Sequence, residues 1–182
     1  MEKLIAFMRE AVRIVAGELP PARVCLWKEV GWRSTVVFME ALAEQVIATY
    51  LTRGGKVFIV PQYGIPAPGS KGDWSCPDFV ALDFEKREVV VVEVASGADL
   101  GPITTKAKDR ERQWFTPLRQ KLKDDGVVDG WEIRFLGFVR QHNLDKARAA
   151  LTGHDRVAFV SIESATFPWD YWETRIGEGL PR

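Results

Sequence analysis

A run of four valines, Val89 to Val92, followed directly by Glu93, constrains the fold of this chain more than any other feature. A short β-branched run that is apolar at every position is typical of a strand buried on both faces of a sheet. Three polar residues, Glu85 to Arg87, separate it from an apolar run that Asp78 opens. The stretch from Pro77 to Ser96 therefore predicts a β-hairpin. A buried carboxylate is costly unless it is paired or binds a cation, which makes Glu93 a candidate functional residue.

Helices and strands alternate along the rest of the chain. Periodic apolar residues predict helices over 3–16, 36–53 and 104–123. Pro117 is expected to divide the third of these, with Thr116 as the cap of its second part. A further short helix is predicted to run to Leu151, with Asn143 as its cap. Further strands are predicted at 56–61, 131–139 and 157–162, with a loop over 62–75. This order predicts an α/β fold with a mixed central β-sheet flanked by helices.

The same pattern divides the chain into three parts. Residues 1–33 are predicted to form an N-terminal helix and arm, and residues 34–165 form the α/β core. Residues 166–182 form a tail that is rich in aromatic side chains, among them Trp169 and Trp172. Such a cluster must pack on the core, on a protein partner or on a second copy of the chain.

The overall charge of the chain indicates no partner, but one local segment is strongly basic. Lys and Arg number 25, and so do Asp and Glu, so no overall field attracts nucleic acid or a membrane. Between Lys106 and Lys123, however, seven basic residues stand against two acidic ones, and this segment is the predicted DNA contact. Trp114 within it either stacks on a base or belongs to the core, and its helical spacing favours the core.

The cysteines and the N-terminus indicate a cytoplasmic protein. Cys25 and Cys76 are far apart and lack the spacing of a redox or metal motif, so both are expected to be buried free thiols. Charged residues interrupt the N-terminal apolar segment, which excludes an ordinary signal peptide, and no stretch is long enough to span a membrane. Acyl transfer and nucleotide binding have no support, because no nucleophile-elbow pattern or phosphate-binding glycine loop is present.

Three acidic positions follow one another in a recognisable order: Glu44 on a predicted helix, then the pair Pro77-Asp78, then Glu93 in a buried strand. This resembles the PD-(D/E)xK nuclease superfamily over roughly residues 34–140. The resemblance implies a restriction-endonuclease-like core in which Asp78 and Glu93 hold Mg²⁺, with Mn²⁺ as an alternative. Glu44 is the third metal-binding acid, directly or through water, and Glu40, on nearly the same helical face, is the alternative to it. It also implies a hydrolase activity, the metal-dependent hydrolysis of phosphodiester bonds in DNA.

One position departs from that family, whose third motif ends in a lysine two residues after its acid. Ala95 stands there in this chain. In one interpretation the cation comes from the following helix, where Lys106 is the candidate and shares a helical edge with Arg110 and Gln113. In a second, the fold is catalytically inactive and serves as a DNA-binding or assembly component. In a third, the chain is an unrelated α/β domain whose acids are structural.

Overall fold

The computed structural model of the chain describes residues 34–66 and 74–166. In it, five strands form one mixed sheet, and helices cover both faces of that sheet. The predicted α/β class with a mixed central sheet flanked by helices is confirmed. The predicted helix over 3–16 and the aromatic tail from Phe167 lie outside the described residues, so the three-part division of the chain stays a prediction. None of the helices in the described ranges is long and apolar enough to cross a membrane.

The first half of the described chain consists of one helix and five strands. Helix α1 spans Ser34–Thr52, and the strands are β1 (Val57–Pro61), β2 (Ile65–Pro66), β3 (Trp74–Ser75), β4 (Phe79–Asp83) and β5 (Glu88–Ala95). In the second half the elements are α2 (Gly101–Lys108), a π-helical turn (Glu111–Phe115), α3 (Thr116–Asp124), β6 (Glu132–Val139), a 3-10 turn (Gln141–Asn143), α4 (Leu144–Ala150), β7 (Val157–Ser161) and α5 (Ile162–Thr166).

The valine run lies in β5 at the centre of the sheet, as predicted. The strand order is β1-β4-β5-β6-β7, with antiparallel pairing from β1 to β5 and parallel pairing from β5 to β7. Val89 and Val91 face a core that includes residues of α2, the π-helical turn and α3. Val90 and Val92 face a second core that includes residues of α1. Both faces of β5 are therefore covered, which is why four consecutive valines suit it.

Trp114 belongs to the core on the α2 side of the sheet. Its side chain is 0% exposed, and its ring stacks on Phe135 with a centroid distance of 5.7 Å. The preference for a core position over base stacking is therefore confirmed. Burial of an aromatic side chain of this size contributes about 1.5–3 kcal/mol or more to folding.

Several local predictions are wrong for identifiable reasons. Thr116 does not cap α3: it is the first residue of that helix, and Pro117 lies in the first turn, where its missing N–H costs nothing. Asn143 stands directly before α4, but its side chain makes no capping bond, and its amide nitrogen donates to the carbonyl of Gly97 at 3.4 Å. The loop over 62–75 contains the two-residue strands β2 and β3, which pair with each other.

Cys76 is disulfide-bonded, so the prediction of a free thiol at this position is wrong. A disulfide requires only that two cysteines approach in space, which their separation along the chain does not reveal. Cys25 lies outside the described residues. The cytoplasmic location, which depended partly on free thiols, stays a prediction.

Gly137 is required by the packing of β6 against β7. It lies opposite Phe159, and a Cβ atom at this position would overlap the buried Phe159 ring. We expect Gly137→Ala to lower the free energy of unfolding by about 1–3 kcal/mol, since overpacking a filled core forces side chains from their rotamers. Urea denaturation measures this. Adding Phe159→Leu to the Gly137→Ala variant should recover part of the lost stability. If Gly137→Ala lowers stability equally with and without Phe159→Leu, overlap with the Phe159 ring is not the cause.

Candidate active site

The β4–β5 hairpin brings Asp78 and Glu93 to one end of the sheet. Phe79 pairs with Val92, so the register continued by one residue places Asp78 opposite Glu93 on the same face. The amide of Val94 donates a 2.6 Å hydrogen bond to Asp78 Oδ2, and the amide of Gln62 donates to the Asp78 carbonyl at 3.0 Å. Asp78 is therefore held through both its backbone and its carboxylate.

Glu93 is a buried carboxylate with one partnered and one unpartnered oxygen. The residue is only 5% exposed. Its Oε2 accepts a 2.6 Å hydrogen bond from the ammonium of Lys106. Its Oε1 is buried without a hydrogen-bond partner among the described residues. Leaving a buried polar atom unsatisfied costs about 1–3 kcal/mol, so this oxygen is a site where a cation or water would be stabilising.

The acids around Glu93 act on one another electrostatically. Burial and, after it, the neighbouring charge of Asp78 together raise the pKa of Glu93 to about 7, against the lowering effect of Lys106. The charge of Glu44, a half-buried residue of α1, also raises the pKa of Glu93. Like charges disfavour each other's ionised form only when they are near, so Asp78 and, to a smaller extent, Glu44 lie close enough to Glu93 to affect its ionisation.

Lys106 reaches this site from α2, on the same side of the sheet as Glu93. Its side chain is 38% exposed, and its ammonium lies 5.8 Å from the centroid of the Trp114 ring. Ala95 follows Glu93 by two residues on the same face, where it packs against the core. The methyl group of Ala95 cannot reach an anion, whereas the ammonium of Lys106 occupies a position beside the acid.

The donor set fits a hard divalent cation bound through two carboxylates. Mg²⁺ commonly binds through one or two carboxylates, with water and substrate phosphate as its other ligands. Glu93, with its unpartnered Oε1, and Asp78, the residue opposite it, supply two such carboxylates. Within residues 34–66 and 74–166, however, no group of three or more Asp, Glu, His or Cys side chains is arranged to hold a metal ion. Glu44 therefore forms no three-carboxylate cluster with Asp78 and Glu93 in the described part of the chain.

Most of the basic segment predicted to contact DNA is engaged in ion pairs. Besides Lys106 with Glu93, the pairs are Arg110 with Asp155 at 2.9 Å, Arg112 with Asp109 at 2.5 Å, Lys121 with Asp125 at 2.8 Å and Lys123 with Asp129 at 3.2 Å. Lys108 and Arg119 are exposed. These pairs reduce the positive charge available to a phosphate backbone, because five of the seven basic side chains already have an acidic neighbour.

The edge predicted to be shared by Lys106, Arg110 and Gln113 is not formed. Arg110 is buried against Asp155, and Gln113 donates to the hydroxyl of Ser75 at 3.3 Å. Helix α2 ends at Lys108 and the π-helical turn begins at Glu111, so ordinary helical spacing does not continue from Lys106 to Gln113. Of the three, Lys106 alone contacts one of the predicted acids in the described structure.

Two residues next to the site had no signal in the sequence. Gln62 adopts a left-handed backbone with φ 47° while its amide holds the Asp78 carbonyl. A non-glycine residue in this region is uncommon and often marks a functional site. Ser75 accepts a hydrogen bond of 2.8 Å from the indole of Trp114. A lone Gln or Ser in a loop predicts neither contact, because each depends on a partner distant in sequence.

Comparison of the chain with protein-family models and with curated proteins finds no match. A proposal about function therefore depends on the geometry of the Asp78, Glu93 and Lys106 side chains.

Proposed function

We propose that this protein is a metal-dependent phosphodiesterase that acts on DNA through a PD-(D/E)xK-like site. The observation that carries the proposal is Glu93: a nearly fully buried acid beside Asp78, with Lys106 on one oxygen and no described partner on the other. A carboxylate is rarely buried in this way without a structural partner or a cation. A strongly raised pKa next to a second acid is typical of functional sites.

The order of the secondary-structure elements supports the same proposal. Helix α1, strand β1, the β4–β5 hairpin and helix α2 follow the helix-strand-hairpin-helix order that the resemblance to a restriction-endonuclease-like core implies. Glu93 lies on β5 and Asp78 directly precedes β4, so the two acids are opposite each other at the open end of that hairpin. Fold alone does not establish activity, so the support comes from the acids at their positions within this order.

The residues of the chain have distinct roles in this proposal. Asp78 and Glu93 bind Mg²⁺ or Mn²⁺, and Glu44 contributes negative charge through water. When bound, the cation supplies an activated water and neutralises charge on the phosphate. The amide of Val94 orients Asp78 by donating to its Oδ2. Lys106 takes the place of the missing motif lysine, and its ammonium donates to a phosphate oxygen or to the attacking water.

The alternative is a catalytically inactive fold that serves as a DNA-binding or assembly component. The direct ion pair between Lys106 and Glu93 favours it, because that pair already neutralises the buried acid. The two functions differ in what Lys106 does: in the active protein it assists cleavage, whereas in the inactive one it only balances a charge.

Cleavage of plasmid, linear and single-stranded DNA with Mg²⁺ or Mn²⁺ tests the proposal. The wild-type chain is expected to cleave at least one of these substrates, and EDTA is expected to stop it. Lys106→Met should slow cleavage about tenfold to a hundredfold, since positioning and electrostatic groups next to a metal contribute on that scale.

Lys108→Met provides a matched control, because Lys108 lies on the same helix and is exposed. We expect this variant to cleave at the wild-type rate. Absence of metal-dependent cleavage on all three substrates would favour the inactive alternative, and equal slowing by the two lysine variants would remove Lys106 from the site.

A further inference from the structure

The π-helical turn between α2 and α3 connects two parts of the candidate active site through one side chain. We propose that Trp114 is a positioning residue, which holds both the segment leading into Asp78 and the ammonium of Lys106. The catalytic consequence of this role rests on the proposed function. The role itself follows from two contacts of the indole ring.

The first contact fixes the chain just before Asp78. The indole N–H of Trp114 donates to Ser75 Oγ at 2.8 Å, and Gln113 donates to the same atom at 3.3 Å. Ser75 precedes Asp78 by three residues, which span at most about 10 Å. Pro77 lies between them with a fixed φ and is buried, so the segment has little freedom to absorb a displacement. A shift at Ser75 is therefore passed on to Asp78.

The second contact concerns Lys106. Its ammonium lies within cation–π range of the Trp114 ring, at 5.8 Å from the centroid, while it bonds to Glu93. Stacking on Phe135, with 6° between the two planes, fixes the orientation of the indole. The same ring thus limits the positions available to the one basic side chain that contacts Glu93 among the described residues.

The local backbone agrees with this role. Side chains of consecutive residues diverge in an α-helix, yet Gln113 and Trp114 both reach the Ser75 hydroxyl. They do so from a π-helical turn, which is rare and frequently found at functional sites. Trp114 is 0% exposed, so its N–H has no water to bond and Ser75 satisfies it.

Hydrogen exchange at the Val94 amide tests the proposal in the chain of 182 residues without metal. That amide donates to Asp78 Oδ2, so its exchange reports whether Asp78 stays in place. Trp114→Phe keeps an aromatic ring and removes the N–H, and Ser75→Ala removes the acceptor. Both variants are expected to raise the exchange rate of the Val94 amide about tenfold relative to that of the buried Val90 amide on the same strand. A tenfold change is what the loss of roughly one hydrogen bond, here the bond from Val94 to Asp78, produces.

Trp131→Phe is the matched control, since this tryptophan packs on Phe84 at the opposite end of the sheet. It should leave the ratio of Val94 to Val90 exchange unchanged.

If the wild-type protein cleaves DNA, Trp114→Phe and Ser75→Ala should lower kcat about tenfold and leave KM constant. This result is expected when catalytic groups are misplaced and substrate binding is kept. An unchanged exchange ratio in both variants would overturn the proposal. Absence of wild-type cleavage would instead overturn the proposed function, and the exchange ratio would still decide the role of Trp114.

Discussion

Replacing Asp78 by Asn and Glu93 by Gln in one protein is expected to reduce Mg²⁺-dependent cleavage of DNA by roughly a thousandfold. Both changes keep the side-chain volume and remove the negative charges that hold the cation. A metal ion contributes several kcal/mol to stabilising the transition state of phosphoryl transfer, which corresponds to a factor of this size. Initial rates of plasmid nicking measure the loss, and calorimetric titration with Mn²⁺ should show that binding is lost with it.

The hairpin provides a matched control for this double variant. Asp83 and Glu88 face each other at the opposite end of β4 and β5, in the same register as Asp78 and Glu93. Asp83→Asn with Glu88→Gln therefore removes two paired acids from the same strands at a distance from the site. We expect cleavage and Mn²⁺ binding at wild-type levels. Similar losses in both double variants, or cleavage that survives Asp78→Asn with Glu93→Gln, would place the chemistry elsewhere.

The central strand and the order of the elements could be predicted from the sequence because their signals are local. Four consecutive valines suit only a strand covered on both faces, and β5 has that position. The strands predicted at 56–61, 131–139 and 157–162 agree with β1, β6 and β7 to within one residue at each end. In each case a short apolar run bounded by polar or turn residues carried the prediction.

The candidate site was predictable only in part, because its details depend on contacts between distant segments. Glu93 stood out, since an acid within a buried strand conflicts with its surroundings. The hydrogen bond between Trp114 and Ser75 joins residues 39 positions apart, and no local pattern indicates it. The ion pair of Arg110 with Asp155 likewise removes a basic side chain that local composition assigned to DNA.

Glu93→Gln alone is expected to raise the free energy of unfolding at pH 8 by about 3 kcal/mol and to leave it nearly unchanged at pH 4. The pKa of Glu93 is raised from 4.5 to about 7 in the folded protein, chiefly by burial. Below pH 4.5 the acid is protonated in both the folded and the unfolded chain. As the pH rises towards 7, the unfolded chain ionises first, so the wild-type protein loses about 1.4 kcal/mol per pH unit. Glutamine resembles the protonated acid and avoids that loss.

Urea denaturation in EDTA at the two pH values measures this difference without interference from bound metal. Glu88→Gln is the control, because Glu88 lies on the same strand in a partly exposed ion pair with Arg134 and should change stability by less than about 1 kcal/mol at either pH. Equal stability of Glu93→Gln and wild type at pH 8 would show that Lys106 fully compensates the buried charge, as in a structural ion pair. If Glu93→Gln raises the free energy of unfolding only at high pH, the chain keeps an ionisable side chain at a position where a neutral one would be more stable. Residues at functional sites commonly carry a stability cost of this kind.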